Sequence, residues 1–176
     1  MKFRFVAMAA LAVFASASSQ AMHIWGPHDP VEIAAVTVAP GAFFNPYTFT
    51  LATPYVVSSS TVAANVVIPV PLINVLEITG GTYALWDMGA NALIGGGDDV
   101  NKGVWSFDGT TGSTTNSVIL SAGSYFYSVA GWASGIAGGQ YTLVSAITAV
   151  PEPETLAMML AGLGAVGFLA RRRKNV

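Results

Sequence analysis

The chain has 176 residues, of which 53% are apolar, only 9% are charged and none is cysteine. Its net charge of −2 conceals a segregated pattern, because residues 22–150 contain seven acidic residues and one lysine, a net charge of −6. An acidic body argues against nucleic-acid binding, which needs a cationic surface. The lack of cysteine excludes disulfides, thiol nucleophiles and thiolate metal sites.

Residues 1–21 have the pattern of a secretory signal peptide. Lys2 and Arg4 form a short positive region, and the apolar stretch that follows is too short to span a bilayer. Ala21 is the small residue that precedes the expected cleavage site. The sequence therefore predicts an N-terminal signal helix and export through the Sec machinery of a body spanning residues 22–149.

Between residues 30 and 149 hydrophobic side chains recur with a period of two, the pattern of half-buried strands. Glycine and proline turn signals separate the segments, and Pro69 and Pro71 divide one long stretch because proline does not fit a central strand. The predicted strands are 33–38, 47–51, 56–67, 72–78, 82–87, 104–107, 116–120, 125–130 and 140–148. The body is therefore predicted to be all-β, an antiparallel β-sandwich or jelly roll.

Phe43, Asn45 and Tyr47 lie in the segment Gly-Ala-Phe-Phe-Asn-Pro-Tyr-Thr-Phe-Thr-Leu at 41–51. This segment resembles the namesake motif of the FxDxF family of PEP-CTERM proteins. Asn45 stands where that family has aspartate, and Tyr47 where it has the second phenylalanine. Because Asn45 is uncharged, a role that needs a carboxylate at this position is not expected. Segments 121–131 and 139–143 also resemble the closing strands of the family.

Two histidines, His23 and His28, precede Asp29 at the expected mature N-terminus. His-x4-His with a neighbouring acid is a spacing that a divalent metal could use. The favoured interpretation is a mobile, proline-flanked surface loop without metal. Neither histidine has an obvious nucleophile partner, and no serine lies in a Gly-x-Ser-x-Gly motif, so no catalytic residue is predicted.

A glycine-rich segment ends in Asp98-Asp99-Val100-Asn101-Lys102-Gly103. Asp99 and Asn101 have the oxygen ligands, and the following glycine the bend, that open a calcium loop. No acid follows at the spacing that closes an EF-hand. An acidic turn without a ligand is favoured, and Asp99 and Asn101 are retained as a weak calcium candidate.

Four tryptophans lie in the body, most of them at alternating strand positions that favour core packing. Trp132, in Ala-Gly-Trp-Ala-Ser-Gly after a strand, is the best candidate for exposure, and Trp25 is the second. Exposed aromatic rings stack on the apolar faces of sugar rings, so these two residues are the candidate glycan contacts.

The C-terminal region 150–176 combines three features in a fixed order. Pro151, Glu152 and Pro153 come first, an apolar helix over 155–170 is predicted next, and a basic cluster closes the region. The basic residues are Arg171, Arg172, Arg173 and Lys174. They are predicted to hold this end in the cytoplasm by the positive-inside rule, with the apolar helix crossing the inner membrane.

This order resembles the PEP-CTERM sorting signal of Gram-negative bacteria. The resemblance implies recognition by an exosortase, a membrane-embedded cysteine transpeptidase-like enzyme that cuts near Pro-Glu-Pro. It also implies a bacterium that makes extracellular polysaccharide. An ordinary tail anchor is the alternative.

Two functional hypotheses follow from the sequence. The first is a non-enzymatic, exosortase-sorted protein of the cell surface, outer membrane or exopolysaccharide biofilm matrix, with a structural or interaction role. The second is a carbohydrate-binding module or adhesin that uses exposed aromatic residues, with calcium as an optional aid. An unrecognised hydrolase is a residual third. The sequence names neither the glycan nor the protein partner.

Overall fold

The computed structural model describes residues 22–69, 71–109, 114–150, 158–166 and 171. The described part of the body forms eleven strands. They are β1 (His23–Pro27), β2 (Val31–Val38), β3 (Gly41–Leu51), β4 (Tyr55–Ala64), β5 (Val66–Pro69), β6 (Leu72–Leu76), β7 (Ile78–Asp87), β8 (Val100–Phe107), β9 (Asn116–Leu120), β10 (Gly123–Ala133) and β11 (Gly139–Ala149). A short helix spans 158–166.

The strands form two principal sheets and a small ribbon. The five-stranded sheet has the order β1-β3-β10-β7-β8, and the four-stranded sheet has the order β2-β11-β4-β9. Strands β5 and β6 form a separate two-stranded hairpin. Every pairing is antiparallel except that of β1 with β3, which is parallel. The predicted all-β body with antiparallel sheets is confirmed, apart from this one parallel edge.

The core lies between the two principal sheets and follows from the alternation of side chains along each strand. Tyr47 and Phe49 on β3 are buried; Tyr47 pairs with Tyr127 on β10, and the rings of Phe49 and Tyr127 are 5.4 Å apart. The four-stranded sheet contributes Tyr141 and Leu143, which are fully buried. Burial of each such side chain stabilises the fold by about 1.5–3 kcal/mol.

The prediction of a mobile loop at the mature N-terminus is wrong. Residues His23–Pro27 form strand β1, which pairs with Tyr47 to Thr50 of β3. The backbone amide of His28 continues this pairing by donating to the Thr50 carbonyl at 3.0 Å. The segment is ordered because its aromatic side chains pack on the tyrosine-rich end of the core, a contact that local sequence does not reveal.

The predicted strand 56–67 is divided into two. Strand β4 ends at Ala64, which pairs with Gln140 near the start of β11, and Val66 then pairs with Leu76 in the hairpin. The predicted break at the two prolines is confirmed, since β5 ends at Pro69 and β6 begins at Leu72. Proline is tolerated there because a hairpin edge needs no amide donor on its open side.

Candidate functional site

The three residues of the 41–51 motif form a link between the sheets. Phe43, Asn45 and Tyr47 on β3 are all buried. The Asn45 side-chain amide donates to the Tyr141 hydroxyl at 2.7 Å, and the Tyr47 and Tyr141 hydroxyls lie 2.6 Å apart. The Phe43 ring stacks on the Tyr141 ring with centroids 5.6 Å apart. These contacts give the motif a structural part, joining β3 of one sheet to β11 of the other.

Burial governs the acidity of the two linked phenols. Loss of solvent raises the pKa of Tyr47 far above its ordinary value, and the hydrogen bond with Tyr141 and the repulsion between the two groups raise it further. Burial also raises the pKa of Tyr141, although the hydrogen bonds from Tyr47 and Asn45 oppose that shift. Both phenols are therefore neutral at physiological pH, which makes them unsuitable as general bases.

A second buried chain of hydrogen bonds joins His28, Ser145 and Tyr127. The His28 Nε2 atom lies 2.8 Å from the Ser145 hydroxyl, and the Tyr127 hydroxyl lies 3.0 Å from the same oxygen. The His28 Nδ1 atom contacts the Asp29 carbonyl, and because a carbonyl only accepts, Nδ1 is the donor in this contact. Sequence analysis missed this Ser–His pair, because 117 positions separate the two residues.

The Ser145 hydroxyl and the His28 ring are as close as a nucleophile and its general base, but a substrate could not reach the serine. Ser145 has 0% of its surface exposed, and its hydroxyl is held by two side chains inside the sandwich. A nucleophile needs room within about 3–3.5 Å for the atom it attacks. The pair therefore acts as a second link between β11 and the five-stranded sheet.

Alkaline titration should weaken the fold through Tyr127. Loss of solvent raises the pKa of Tyr127 from 10.0 to about 12, although its hydrogen bonds with Ser145 and Ser59 oppose the shift. A folded pKa above the unfolded value means that this stabilisation is complete below pH 10.0 and is lost as the pH rises towards 12. Urea denaturation as a function of pH should show a fall of about 3 kcal/mol from this residue. The fall should be shallower in Tyr127→Phe, and equal slopes in the two proteins would contradict the assignment.

The remaining histidine also packs inside the fold. The His23 ring stacks on Tyr47 with centroids 4.7 Å apart and an interplanar angle of 10°. Within the described ranges no three His, Cys, Asp or Glu side chains are grouped as a metal site would require. Both ring nitrogens of His28 already have protein partners. The two histidines of the His-x4-His spacing therefore make separate contacts, His23 with the Tyr47 ring and His28 with Asp29 and Ser145.

The weak calcium candidate does not have the form of a calcium loop. Asn101 and Gly103 lie within the extended strand β8, where they pair with Trp86 and Leu85 of β7. The Asp99 carboxylate accepts a hydrogen bond from the Gly95 amide at 2.7 Å. The expected bend after Asp99 is therefore absent, because strand β8 begins at Val100 and not at the predicted 104. A calcium ligand role for Asp99 stays a prediction.

Asp98 stabilises the loop between β7 and β8 by hydrogen bonds to other residues of the same loop. Its carboxylate accepts hydrogen bonds from the amides of Ala90 at 2.9 Å and Asn91 at 3.2 Å, and it also contacts the Asn91 side chain. Gly89 lies opposite with φ of +63°, and a Cβ there would come within 2.4 Å of the Asp98 carboxylate. This loop is stabilised by its own side chains.

The two candidate glycan contacts have different surroundings. Trp132 is 56% exposed on the outer face of the five-stranded sheet, and its cross-strand neighbours are the small residues Ala42 and Thr79. Trp25 is half-buried and packs on Tyr47 and Tyr127, with ring centroids 5.3 and 6.2 Å away. Only Trp132 of this pair presents an open ring face, and its contact with glycan stays a prediction.

The predicted signal and most of the sorting residues lie outside the described residues. These include Ala21, Pro151, Glu152, Pro153, Arg172, Arg173 and Lys174. Arg171 is described and exposed, and the helix over 158–166 falls inside the predicted apolar segment. Among the helical residues that the structure describes, no helix has both the length and the apolar character needed to cross a bilayer.

The comparison with known protein families decides the nature of the C-terminal region. Residues 149–174 match the PEP-CTERM protein-sorting motif. This chain carries a PEP-CTERM sorting signal. The signal implies an exosortase-sorted surface protein, made as an exported, membrane-anchored precursor in a Gram-negative bacterium. The match covers the tail alone, so the resemblance of 41–51 to the FxDxF family stays a prediction.

This chain is also similar to solved structures. It is similar to the pre-peptidase C-terminal domain of collagenase from Bacillus anthracis, with 11% identity, 76% of this chain and 100% of that chain covered, and a TM-score of 0.42. It is also similar to the C-terminal CBM6 of LamC, a marine laminarinase from Zobellia galactanivorans, with 16% identity, 67% and 89% covered, and a TM-score of 0.32. No curated protein matches the chain.

Proposed function

We propose that this protein is a non-catalytic component of the bacterial surface or exopolysaccharide matrix. Its signal peptide directs export, its tail holds the precursor in the inner membrane, and an exosortase separates the β-sandwich from the tail near Pro151-Glu152-Pro153. The observation that carries this proposal is the position of the sorting motif. The motif begins at residue 149, and Ala149 is the last residue of β11.

The boundary at Ala149 suits a cut that leaves the body intact. Thr148 and Ala149 pair with Val56 and Tyr55 of β4, so the folded body extends to the residue before Val150. Cleavage on the C-terminal side of Val150 would remove no part of the described sandwich. The proposed domains are therefore a signal peptide over 1–21, a body over 22–149 and a sorting region over 150–176.

The described interior supports a structural role and not a catalytic one. The groups that most resemble catalytic machinery are held by buried hydrogen bonds: the Ser145 hydroxyl bonds to His28 and Tyr127, and the Tyr141 hydroxyl bonds to Asn45 and Tyr47. Their hydrogen bonds fix the packing of a small β-sandwich. A protein that keeps its shape outside the cell and presents its faces to a partner needs this kind of interior.

The sorting part of the proposal is tested by the ends of the released protein. The full chain is expressed in a Gram-negative host with an exosortase and in the same host lacking it. Mass spectrometry should find a released form that begins at Met22 and ends near residues 150–154 in the first host alone. Surface protein that retains residues 156–170 would show a permanent tail anchor and overturn the proposal.

Glycan binding is the second candidate function, and the exposure of Trp132 favours it. The Trp132 ring stands above small neighbours on a sheet whose outer-face residues nearby, Thr79 and Ala42, are uncharged. A flat, open indole face contacts the apolar face of a pyranose ring by area burial and by the ring quadrupole. Calcium is an optional aid to this candidate and not a required one.

A glycan array separates the two candidates. A carbohydrate-binding protein should show specific hits that Trp132→Ala removes, since loss of one stacking ring weakens binding by roughly tenfold or more. Ile119→Ala is the matched control, because Ile119 is an exposed apolar residue on β9 of the other sheet. If the array shows no specific hits, glycan binding is contradicted and the structural role in the surface or matrix is the remaining proposal.

A further inference from the structure

The β5–β6 hairpin exposes apolar side chains on both of its faces. All four residues of β5 (Val66–Pro69) are exposed, and Leu72, the first residue of β6, is 80% exposed. Successive residues of a strand point to opposite faces, so neither face of β5 is covered. Residues 65–76 contain no charged side chain.

The exposure of successive residues on β5 differs from the pattern on strand β2. On β2 exposed and half-buried residues alternate, and the exposed apolar residue Ile33 belongs to a strand whose other face covers the core. A protein partner that packs against one face of a strand buries every second residue. The hairpin instead presents Val66, Val67 and Ile68 in succession, which only an occupant on both sides can cover.

The position of the hairpin separates it from the sorting tail. Val66 follows Ala64, which pairs with Gln140 near the start of β11, whereas the tail leaves from Ala149 at the other end of that strand. Nine residues of strand span roughly 30 Å. The hairpin therefore lies at the opposite end of β11 from Ala149, and removal of the residues after Val150 leaves it in place.

One side of the hairpin is attached to the body, which fixes its orientation. The carbonyls of Asn74 and Val75 on β6 accept hydrogen bonds from the amides of Ile136 and Ala137, both at 2.9 Å. Ile136 is itself exposed and extends the apolar surface. Within the described residues no strand pairs with the open side of β5, so the backbone groups on this edge lack a strand partner.

We propose that the β5–β6 hairpin is a lipid-contacting element that enters the surface of a bilayer with neutral headgroups. A bilayer surrounds an inserted ribbon and covers both faces, which matches the exposure of β5. The lack of charge in 65–76 and the net charge of −6 over residues 22–150 disfavour an anionic surface. The hairpin gives the body a reversible hold on lipid that is independent of the cleavable tail.

The test uses the absence of cysteine in the full chain, which makes a single introduced cysteine a unique labelling site. Leu72→Cys carries an NBD fluorophore at the hairpin, and Ile33→Cys is the matched control on the exposed face of β2. Each protein is added to phosphatidylcholine vesicles with brominated acyl chains. The fluorophore at residue 72 should shift to the blue and be quenched, and the fluorophore at residue 33 should not.

A second pair of variants keeps the result independent of the tail. Ile68→Asp in the Leu72→Cys chain should abolish the quenching, whereas Ile33→Asp in the same chain should preserve it. Ile68 and Ile33 are both exposed, so neither change disturbs the core, and circular dichroism checks the fold. Cleavage by the exosortase should proceed normally in Ile68→Asp, which distinguishes this proposal from the sorting proposal.

Three outcomes would overturn the lipid assignment. Equal fluorescence at residues 72 and 33 would show that the hairpin does not enter lipid. A blue shift at residue 72 that rises with protein concentration in the absence of vesicles would assign the hairpin to a second copy of the chain. Quenching that appears only with anionic phosphatidylglycerol vesicles would contradict the neutral surface.

Discussion

Glu152→Ala should leave export and membrane insertion intact but block cleavage, so that the full-length precursor accumulates in the inner membrane. Proline favours an extended backbone, the form in which a protease cleft binds a peptide as an added strand. Glu152 supplies the one charge between the two prolines that a cationic or hydrogen-bonding pocket selects. Because a hydrogen bond to a charged group contributes about 1.5–3 kcal/mol, cleavage should fall by roughly tenfold to a hundredfold.

The chain offers a matched control for this substitution. Glu154 lies two residues further along and outside Pro-Glu-Pro, so Glu154→Ala should be cleaved normally. Membrane fractionation with an immunoblot against the body, followed by mass spectrometry of the released form, measures both variants. Equal cleavage of Glu152→Ala and the unaltered chain would show that the enzyme does not read this carboxylate.

Replacement of the basic cluster should cause a different defect from Glu152→Ala. Replacement of Arg171, Arg172 and Arg173 with serine weakens the cytoplasmic stop, since positive charges fix the orientation and depth of an apolar segment. The precursor should then slip outward without cleavage and appear uncut outside the inner membrane. Accumulation in the inner membrane, as for Glu152→Ala, would contradict separate roles for recognition and stop.

The body's strands could be predicted from sequence because their alternation is local. Tyr47 and Phe49 repeat with the period of two that a strand requires, and turn residues mark the ends. The sorting signal could also be predicted from sequence, because the Pro-Glu-Pro segment, the apolar segment and the basic cluster follow one another along the chain. Strand β1 could not be predicted in this way, since His23–Pro27 is short, contains Gly26 and pairs with residues of β3 that lie 23 or 24 positions further along the chain.

The buried hydrogen bonds between the sheets could not be predicted either, because their partners are far apart in the sequence. Asn45 and Tyr141 are 96 positions apart, and His28 and Ser145 are 117 apart. No spacing rule connects such pairs, because the order of strands in the sheets brings them together. The bend expected after Asp99 is a different case, since the pairing of β8 with β7 holds Asn101 and Gly103 extended.

The exposed apolar residues illustrate a further limit of sequence. Val66, Val67 and Ile68 have the composition of a buried strand, and the predicted strand 56–67 included the first two of them. The structure places them in a hairpin outside the sandwich instead. Hydrophobicity predicts that a strand forms, but whether a sheet covers that strand depends on the partners available to it.

Tyr141→Ala should be among the most destabilising single substitutions in the sandwich. The Tyr141 side chain is fully buried, and its ring contacts Phe43 and Phe107 with centroids 5.6 and 6.0 Å away. Its hydroxyl also accepts the Asn45 amide and contacts the Tyr47 hydroxyl. Removal of a large buried ring costs about 3–5 kcal/mol in the free energy of unfolding, a large fraction of the ~5–15 kcal/mol that stabilises a typical domain.

Tyr141→Phe divides this cost between the ring and the hydroxyl. The phenylalanine keeps both ring contacts but leaves the Asn45 amide and the Tyr47 hydroxyl without their shared partner, which costs about 1–3 kcal/mol. Asn45→Ala combined with Tyr141→Phe should cost less than the two single changes added together, because the pair removes donor and acceptor at once. Urea denaturation followed by near-ultraviolet circular dichroism measures each variant. Strict additivity of the two changes would show that the hydrogen bond between the sheets does not couple them, and the tyrosine link would then be packing alone.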